Sequence, residues 1–349
     1  MNIELIITIA KIALVFGLSI ALSFGMTPLV KNFAEKVGAI DVPKDERRMH
    51  KTPIPRLGGL AIFISFILCV CLFANLNPQL RGILIGAVLI VVCGVIDDIT
   101  PLKWYIKFPV QIAAALIVVN HGVLIDHITN PNIFSDMPYI NFGRYSAPIT
   151  VIWIVGITNA VNLIDGLDGL AVGVSSIASL SLMVASIFMI PIVGINITIV
   201  CAALAGACIG FMPYNMNPAK IFMGDTGATF LGFILATITI SGFFKFYAVV
   251  SFAIPFLVLG IPIFDTLIAF SRRIIKGKNP MHADRGHVHH KLIDMGFSQK
   301  QSVAILYTMS AILGICAITL ASNGELRALF LGLSAVVAVI IGAKVFGRK

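Results

Sequence analysis

Charge is scarce in this chain. Asp, Glu, Lys and Arg supply 12% of its 349 residues while apolar side chains supply 58%, and the mean hydropathy is +0.99. That balance excludes an ordinary soluble domain, in which about a quarter of residues are charged. Long polar stretches are missing as well, so residues 1–349 read as one integral-membrane domain. Cysteine is sparse and unpatterned. Cys69, Cys71, Cys93, Cys201, Cys208 and Cys316 lie in apolar stretches without a CxxC pair, which excludes a disulfide framework or a zinc finger and makes them small core hydrophobes. The sequence also has no HExxH, no Walker loop and no pattern of a serine or cysteine triad.

What it has is apolar length. A transmembrane helix needs about 20 mostly apolar residues. Windows of that kind predict helices at 3–29, 57–76, 82–97, 104–120, 146–164, 168–188, 191–211, 226–242, 246–270, 302–321 and 326–345. The expected fold class is therefore an all-α polytopic membrane protein with about eleven spans. The first stretch, Ile3 to Val30, is too long for a signal-peptide core and is expected to stay as the first helix. Between His121 and Tyr145, short alternating runs broken by Asn, Pro and Gly predict a small hairpin.

The net charge of +9 does not point to nucleic acid, because the basic residues sit in short loops between spans. With the N-terminus outside, only Lys11, Arg81, Arg144, Lys245 and Arg327 of the 25 Lys and Arg fall away from the inner side. This placement predicts a multi-pass protein of the cytoplasmic membrane. It also brings every motif rich in Asp or His to the cytoplasmic face, although those motifs played no part in choosing it.

Asp97 and Asp98 close an apolar helix, where a negative charge opposes the helix dipole and each carboxylate disfavours ionisation of the other. A solvated helix end would tolerate such a pair; function would explain it, as a Mg2+ site or a base. Lys107 and Gln111 follow on the next helix. In Asn159-Ala-Val-Asn162-Leu-Ile-Asp165-Gly-Leu-Asp168-Gly169, the side chains of Asn162, Asp165 and Asp168 recur every three residues and on a helix would share one side. A turn between helices accounts for one Asp-Gly pair but poorly for two beside Asn162. Asp225, in Met223-Gly-Asp-Thr-Gly227, suits either the cap of the next helix or a Mg2+ ligand, with Lys220 nearby favouring the ligand.

Four histidines fall between His282 and His290, and Arg285 and Lys291 stand among them. Zinc is disfavoured by the lack of HExxH or cysteine, which leaves a basic clamp for phosphate as the expectation for Arg285, His287, His289 and His290. The loop from Arg47 to Gly59 adds Lys51 and Arg56 and two glycines that allow a tight backbone approach. Acids for Mg2+ (Mn2+ being the alternative) together with cations for phosphate are the equipment of phosphoryl transfer. A cation-coupled transporter would instead place acids near mid-membrane in repeated halves, and a lipid-pyrophosphate hydrolase would need a water-activating group.

In order, MHKTPIPRLGG, Asp97-Asp98, NLIDGLDGLA, PAKIFMGDTGA and HADRGHVHH resemble the polyprenyl-phosphate N-acetylhexosamine-1-phosphate transferase family, over residues from about Asp41 to Leu292. The chain is more similar to the WecA and TagO group than to MraY, whose usual TPTMGG and run of consecutive histidines it lacks. The resemblance implies that undecaprenyl phosphate attacks the β-phosphate of UDP-GlcNAc and releases UMP. That reaction is the first membrane step of an envelope glycan such as a teichoic acid linkage unit or an O-antigen. It implies Mg2+ at Asp225 with Asn162, and a role for Asp98 or Asp97 in deprotonating or positioning the lipid phosphate. Lys107 and Lys51 match phosphate contacts, Asp165 and Asp168 the nucleotide pocket, and Arg285, His287, His289 and His290 contacts to sugar or pyrophosphate. The implied partners are a UDP-sugar, a polyprenyl phosphate and the bilayer, with no nucleic acid; a homodimer is left open.

Overall fold

A computed structural model describes residues 3–43, 52–129, 139–244, 249–275, 277 and 286–322, the side chains of 249–252 excepted. The chain is a helical bundle. Long helices α1 (Ile3–Lys36), α3 (Pro78–Ile99), α5 (Ser146–Ile164), α6 (Leu170–Phe188), α8 (Ile195–Asn215), α9 (Gly224–Gly242) and α13 (Gln299–Ala321) alternate with the shorter α2 (Gly59–Phe73), α4 (Trp104–Asn120) and α7 (Ile190–Val193). Two further short helices, α10 (Val249–Val258) and α11 (Gly260–Ile275), precede α12 (Val288–Asp294). Strands β1 (Ile40–Asp41) and β2 (Ile54–Pro55) pair antiparallel, as do β3 (His127–Thr129) and β4 (Tyr139–Asn141). The second pair is the hairpin expected between residues 121 and 145.

Among the described residues, seven helices are long and apolar enough to cross a bilayer, and α2 and α4 are shorter apolar helices. The expected span at 246–270 is broken into α10 and α11. Pro262 has no N–H and its ring opposes the carbonyl of Val258, the residue at which α10 ends. The expected helix at 326–345 lies outside the described residues.

α9 is the axis of the bundle, packed against α2, α3, α5, α6 and α8 and buried nearly throughout. Lipid is met mainly by the outer helices: α1 exposes Ile3, Ile7, Leu14 and Leu29. Small residues let backbones approach where hydrophobicity alone gives no preference for protein over lipid. A Cβ on Gly206 or Gly210 of α8 would stand 2.5 Å from the Phe16 carbonyl oxygen or 2.3 Å from that of Ile20. Ser19 and Ser23 of α1 donate to the Ala203 and Ala207 carbonyls at 2.6 and 2.7 Å. All six cysteines are free; Cys71 is exposed and Cys93 half-buried, so only Cys69, Cys201, Cys208 and Cys316 pack as core.

Helix starts fix the two ends of the bundle. At one end, Asn77 caps α3 by accepting from the Leu80 N–H at 2.8 Å, with Pro78 behind it, and Asn75 and Asn196 exchange hydrogen bonds at 3.0 Å. At the other end the C-terminus of α3, the start of α4, the α5–α6 turn and the start of α9 meet.

Candidate active site

Three glycines allow that meeting. A Cβ on Gly59 would lie 2.1 Å from the Gly227 nitrogen, and one on Gly94 would lie 2.5 Å from the Thr226 Cα. The backbone between β2 and α2 therefore runs directly along the start of α9, with Gly58 and Gly59 donating to the Phe222 and Met223 carbonyls at 2.9 Å. The tight approach expected of Gly58 and Gly59 is thus made against α9.

Asp98 binds this corner together. Its buried carboxylate accepts from the N–H groups of Asp225 and Thr226, each at 3.0 Å, and from the Thr226 hydroxyl at 2.6 Å. The Arg56 guanidinium adds bonds at 3.1 and 3.0 Å through Nε and Nη2. The carboxylate thereby serves as a cap for α9 supplied by another helix, placed at the positive end of its dipole. Gly224, at φ +71, leaves the room: a Cβ there would fall 2.3 Å from Asp98 Oδ2.

Asp97 points the other way. It accepts from the Leu102 N–H at 2.6 Å and pairs with Lys107 Nζ at 3.1 Å, while Lys107 Nζ reaches Asp225 Oδ2 at 2.7 Å. One ammonium thus bridges two carboxylates from different helices, and both Lys107 and Asp225 are about a quarter exposed. One turn further into α4, Gln111 and Asn159 exchange amide hydrogen bonds, at 2.6 Å in the shorter direction, and set the spacing of α4 and α5.

Asn162, Asp165 and Asp168 are not all helical. α5 ends at Ile164, and Asp165 is its C-cap at φ −76, ψ 57, so only Asn162 lies on a helix. The Asp-Gly turn between helices is the form adopted. Asn162 is half-buried on the last turn of α5. Burial, with Asp225, Asp98 and Asp168 adding to it and Arg56 opposing, pushes the Asp165 carboxyl up to about 7. Asp168 accepts from the Asn217 side chain at 2.9 Å and the Ala219 N–H at 3.1 Å, tying the turn to the α8–α9 loop. Gly169, at φ +79, is held from both sides: its N–H donates to Asn215 at 3.2 Å and its carbonyl accepts from the Tyr307 hydroxyl at 2.5 Å. Lys220 is exposed on the α8–α9 loop, outside the Asp–Lys–Asp chain.

His289 departs from the expected basic clamp. His287 and His289 are buried, and their rings stack with centroids 5.8 Å apart; His290 lies 4.3 Å beyond His289. Burial, aided by the neighbouring His290 and opposed by Asp265, lowers His289 to about 4, so at neutral pH it carries no charge. Its ring abuts Gly166, which joins the histidines to the Asp165 turn. Lys51 and Arg285 lie outside the described residues. Asp265, which anchors His287 from α11, was not among the expected site residues, although a lone acid inside the apolar stretch 246–270 was the signal for it.

The donor set suits a hard cation. Carboxylate oxygens dominate around Asp225, where the four carboxyls of Asp97, Asp98, Asp165 and Asp225 outnumber the two cations, Arg56 and Lys107. Among the described residues no three His, Cys, Asp or Glu side chains form a closed metal cage. Mg2+ does not require one, since it keeps waters and takes one or two carboxylates plus substrate phosphates. Asp97, Asp98, Asp165 and Asp225 all lie at helix ends.

Residues 80–243 match the profile described as glycosyl transferase family 4. The chain is 38% identical over 346 residues to a Bacillus subtilis protein named probable undecaprenyl-phosphate N-acetylglucosaminyl 1-phosphate transferase, covering 97% of this chain and 92% of that one. It is 32% identical to the decaprenyl-phosphate N-acetylglucosaminephosphotransferase of Mycolicibacterium smegmatis, covering 96% and 88%. A phospho-N-acetylmuramoyl-pentapeptide-transferase of Staphylococcus saprophyticus is 32% identical over a shorter part, 77% of this chain and 86% of that one.

Proposed function

Since the chain belongs to glycosyl transferase family 4, among its polyprenyl-phosphate sugar-1-phosphate transferases, we propose that it transfers GlcNAc 1-phosphate from UDP-GlcNAc to undecaprenyl phosphate at the Asp97–Lys107–Asp225 end of its bundle. An oxygen of the lipid phosphate forms a bond to the β-phosphorus, the bond to the bridging oxygen breaks, and UMP leaves with that electron pair. The attacking oxygen is already anionic, so the barrier is chiefly charge repulsion and alignment.

The observation that carries this reading is the Lys107 ammonium held between Asp97 and Asp225, at 3.1 and 2.7 Å. It offers a positive charge where two phosphates must meet, and Asp97 fixes its position from the next helix. Asp98 has its oxygens committed to α9 and Arg56. Of the two adjacent acids, Asp97 is therefore the one assigned to the lipid phosphate, and Asp98 the one that aims Asp225. Asp225 and Asn162 would hold Mg2+, which when bound supplies Lewis-acid neutralisation of the diphosphate. Asp165 and the Gly166 turn form the wall for the nucleotide, next to the histidines.

The surplus of Lys and Arg in loops on the same side supports a cytoplasm-facing site with the N-terminus outside. A soluble nucleotide-sugar and a membrane-held phosphate can both reach such a place. The test is purified protein with sugar-labelled UDP-GlcNAc, undecaprenyl phosphate and Mg2+: labelled lipid and UMP are expected in equal amounts. UMP without labelled lipid would indicate hydrolysis, and turnover only with a UDP-muramoyl-pentapeptide would replace the donor.

A further inference from the structure

Asp265 lies on α11, outside every segment that builds the Asp–Lys–Asp chain, yet it is 4% exposed and both its oxygens are used. Oδ2 is 2.8 Å from Nδ1 of His287, and Oδ1 accepts from the Val288 N–H at 2.7 Å. A buried carboxylate in an apolar helix is costly unless such bonds are made. These bonds fix both the ring and the backbone that starts α12. With Nδ1 engaged, Nε2 is the nitrogen of His287 left to meet a ligand. The ring is stacked on His289, which abuts Gly166 beside Asp165, so the dyad borders the wall assigned to the nucleotide-sugar.

We infer that Asp265 is a positioning residue for the transfer reaction: it holds His287 with Nδ1–H toward itself and Nε2 toward the donor's diphosphate. The inference rests on the proposed transfer reaction. An anionic phosphate arriving at Nε2 sets the imidazole between two negative groups, the Asp265 carboxylate on one side and the phosphate on the other. His287 can then give a charge-assisted hydrogen bond through Nε2–H. Asp265→Asn is a sharp probe of this. The amide oxygen must keep the Val288 N–H bond, so the amide NH2 turns to Nδ1 and donates to it. The ring is thereby locked neutral, with its proton on Nε2.

The experiment is a double-mutant cycle on purified protein with UDP-GlcNAc, undecaprenyl phosphate and Mg2+, comparing wild type, Asp265→Asn, His287→Ala and the double variant. Asp265→Asn is expected to lower kcat on the order of 100-fold, with little change in the KM for UDP-GlcNAc and an unchanged melting transition. In the His287→Ala background the same substitution should cost nothing more, since its route of action has gone. An equal loss in both backgrounds, or wild-type kcat in Asp265→Asn, overturns the inference, because a purely structural Asp265 acts independently of the ring. Should Asp265→Asn fail to fold, Asp265→Glu decides: a kcat loss that vanishes in the His287→Ala background upholds the inference, and an equal loss in both backgrounds overturns it. Wild-type protein that releases no UMP would mark failure of the transfer reading itself.

Discussion

The carboxylate of Asp98, on the last turn of α3, accepts both the N–H and the hydroxyl of Thr226 in the first turn of α9, at 3.0 and 2.6 Å. This cross-helix cap holds the helix that carries Asp225, and it is sealed from solvent. Asp98→Ala should therefore lower stability by about 3 kcal/mol, because it strands Arg56 and the first N–H groups of α9. Thermal melting in detergent checks this; a wild-type melting temperature would show that Asp98 is not the anchor.

Asp97 predicts the opposite split. It bonds Lys107 and the Leu102 N–H but does not hold α9, so Asp97→Asn should melt close to wild type while losing turnover on the order of 100-fold or more. Equal melting losses for Asp97→Asn and Asp98→Ala would remove the distinction between the two acids.

Close backbone approach gives a steric prediction. Gly94→Ala should cost about 1–3 kcal/mol and much of the activity, since its Cβ would meet the Thr226 backbone 2.5 Å away. Gly156→Ala, with nothing within 4 Å, should be tolerated. The comparison needs only melting curves and UMP release for the two variants.

The third histidine of the loop sets a pH dependence. His289 falls from the ordinary 6.5 to about 4 in the folded protein, so between those values the unfolded chain binds more protons. Its contribution to stability is full above about 6.5 and is lost as pH falls through 4, at most about 3 kcal/mol in all. Raised groups such as Asp165 act in the other direction, so the readout is the difference between wild type and His289→Gln. That difference should shrink as pH drops from 7 toward 4; a constant difference would contradict a buried neutral ring.

Much of this site could be read in the sequence because its parts are local. The Asp97-Asp98 pair, the Asn162 to Asp168 run and the Met223 to Gly227 run each announced themselves as polar groups in apolar surroundings, and the structure brings Asp97, Asp98, Asp165 and Asp225 to one end. Spacing did not reveal direction: Asp97 and Asp98 are neighbours in the chain and face different partners, since adjacent helical residues point about 100° apart. The period of three over Asn162, Asp165 and Asp168 also misled, because α5 ends at Ile164 and the chain turns through Gly166 to Gly169, where α6 starts. Asp265 was hidden by distance, its partner His287 lying 22 residues on in another element. The break at Val258 was encoded by Pro262, although apolar windows run smoothly across it.

The central claim is transfer of phosphate together with the sugar, and the fate of the β-phosphorus tests it most directly. With UDP-GlcNAc labelled at the β-phosphate, undecaprenyl phosphate and Mg2+, the label is expected in the organic phase as lipid diphosphate-GlcNAc, with unlabelled UMP left in water and neither formed by Asp225→Asn. Label that stays in UDP while sugar moves to lipid, or full labelling of the lipid by Asp225→Asn, would contradict the account.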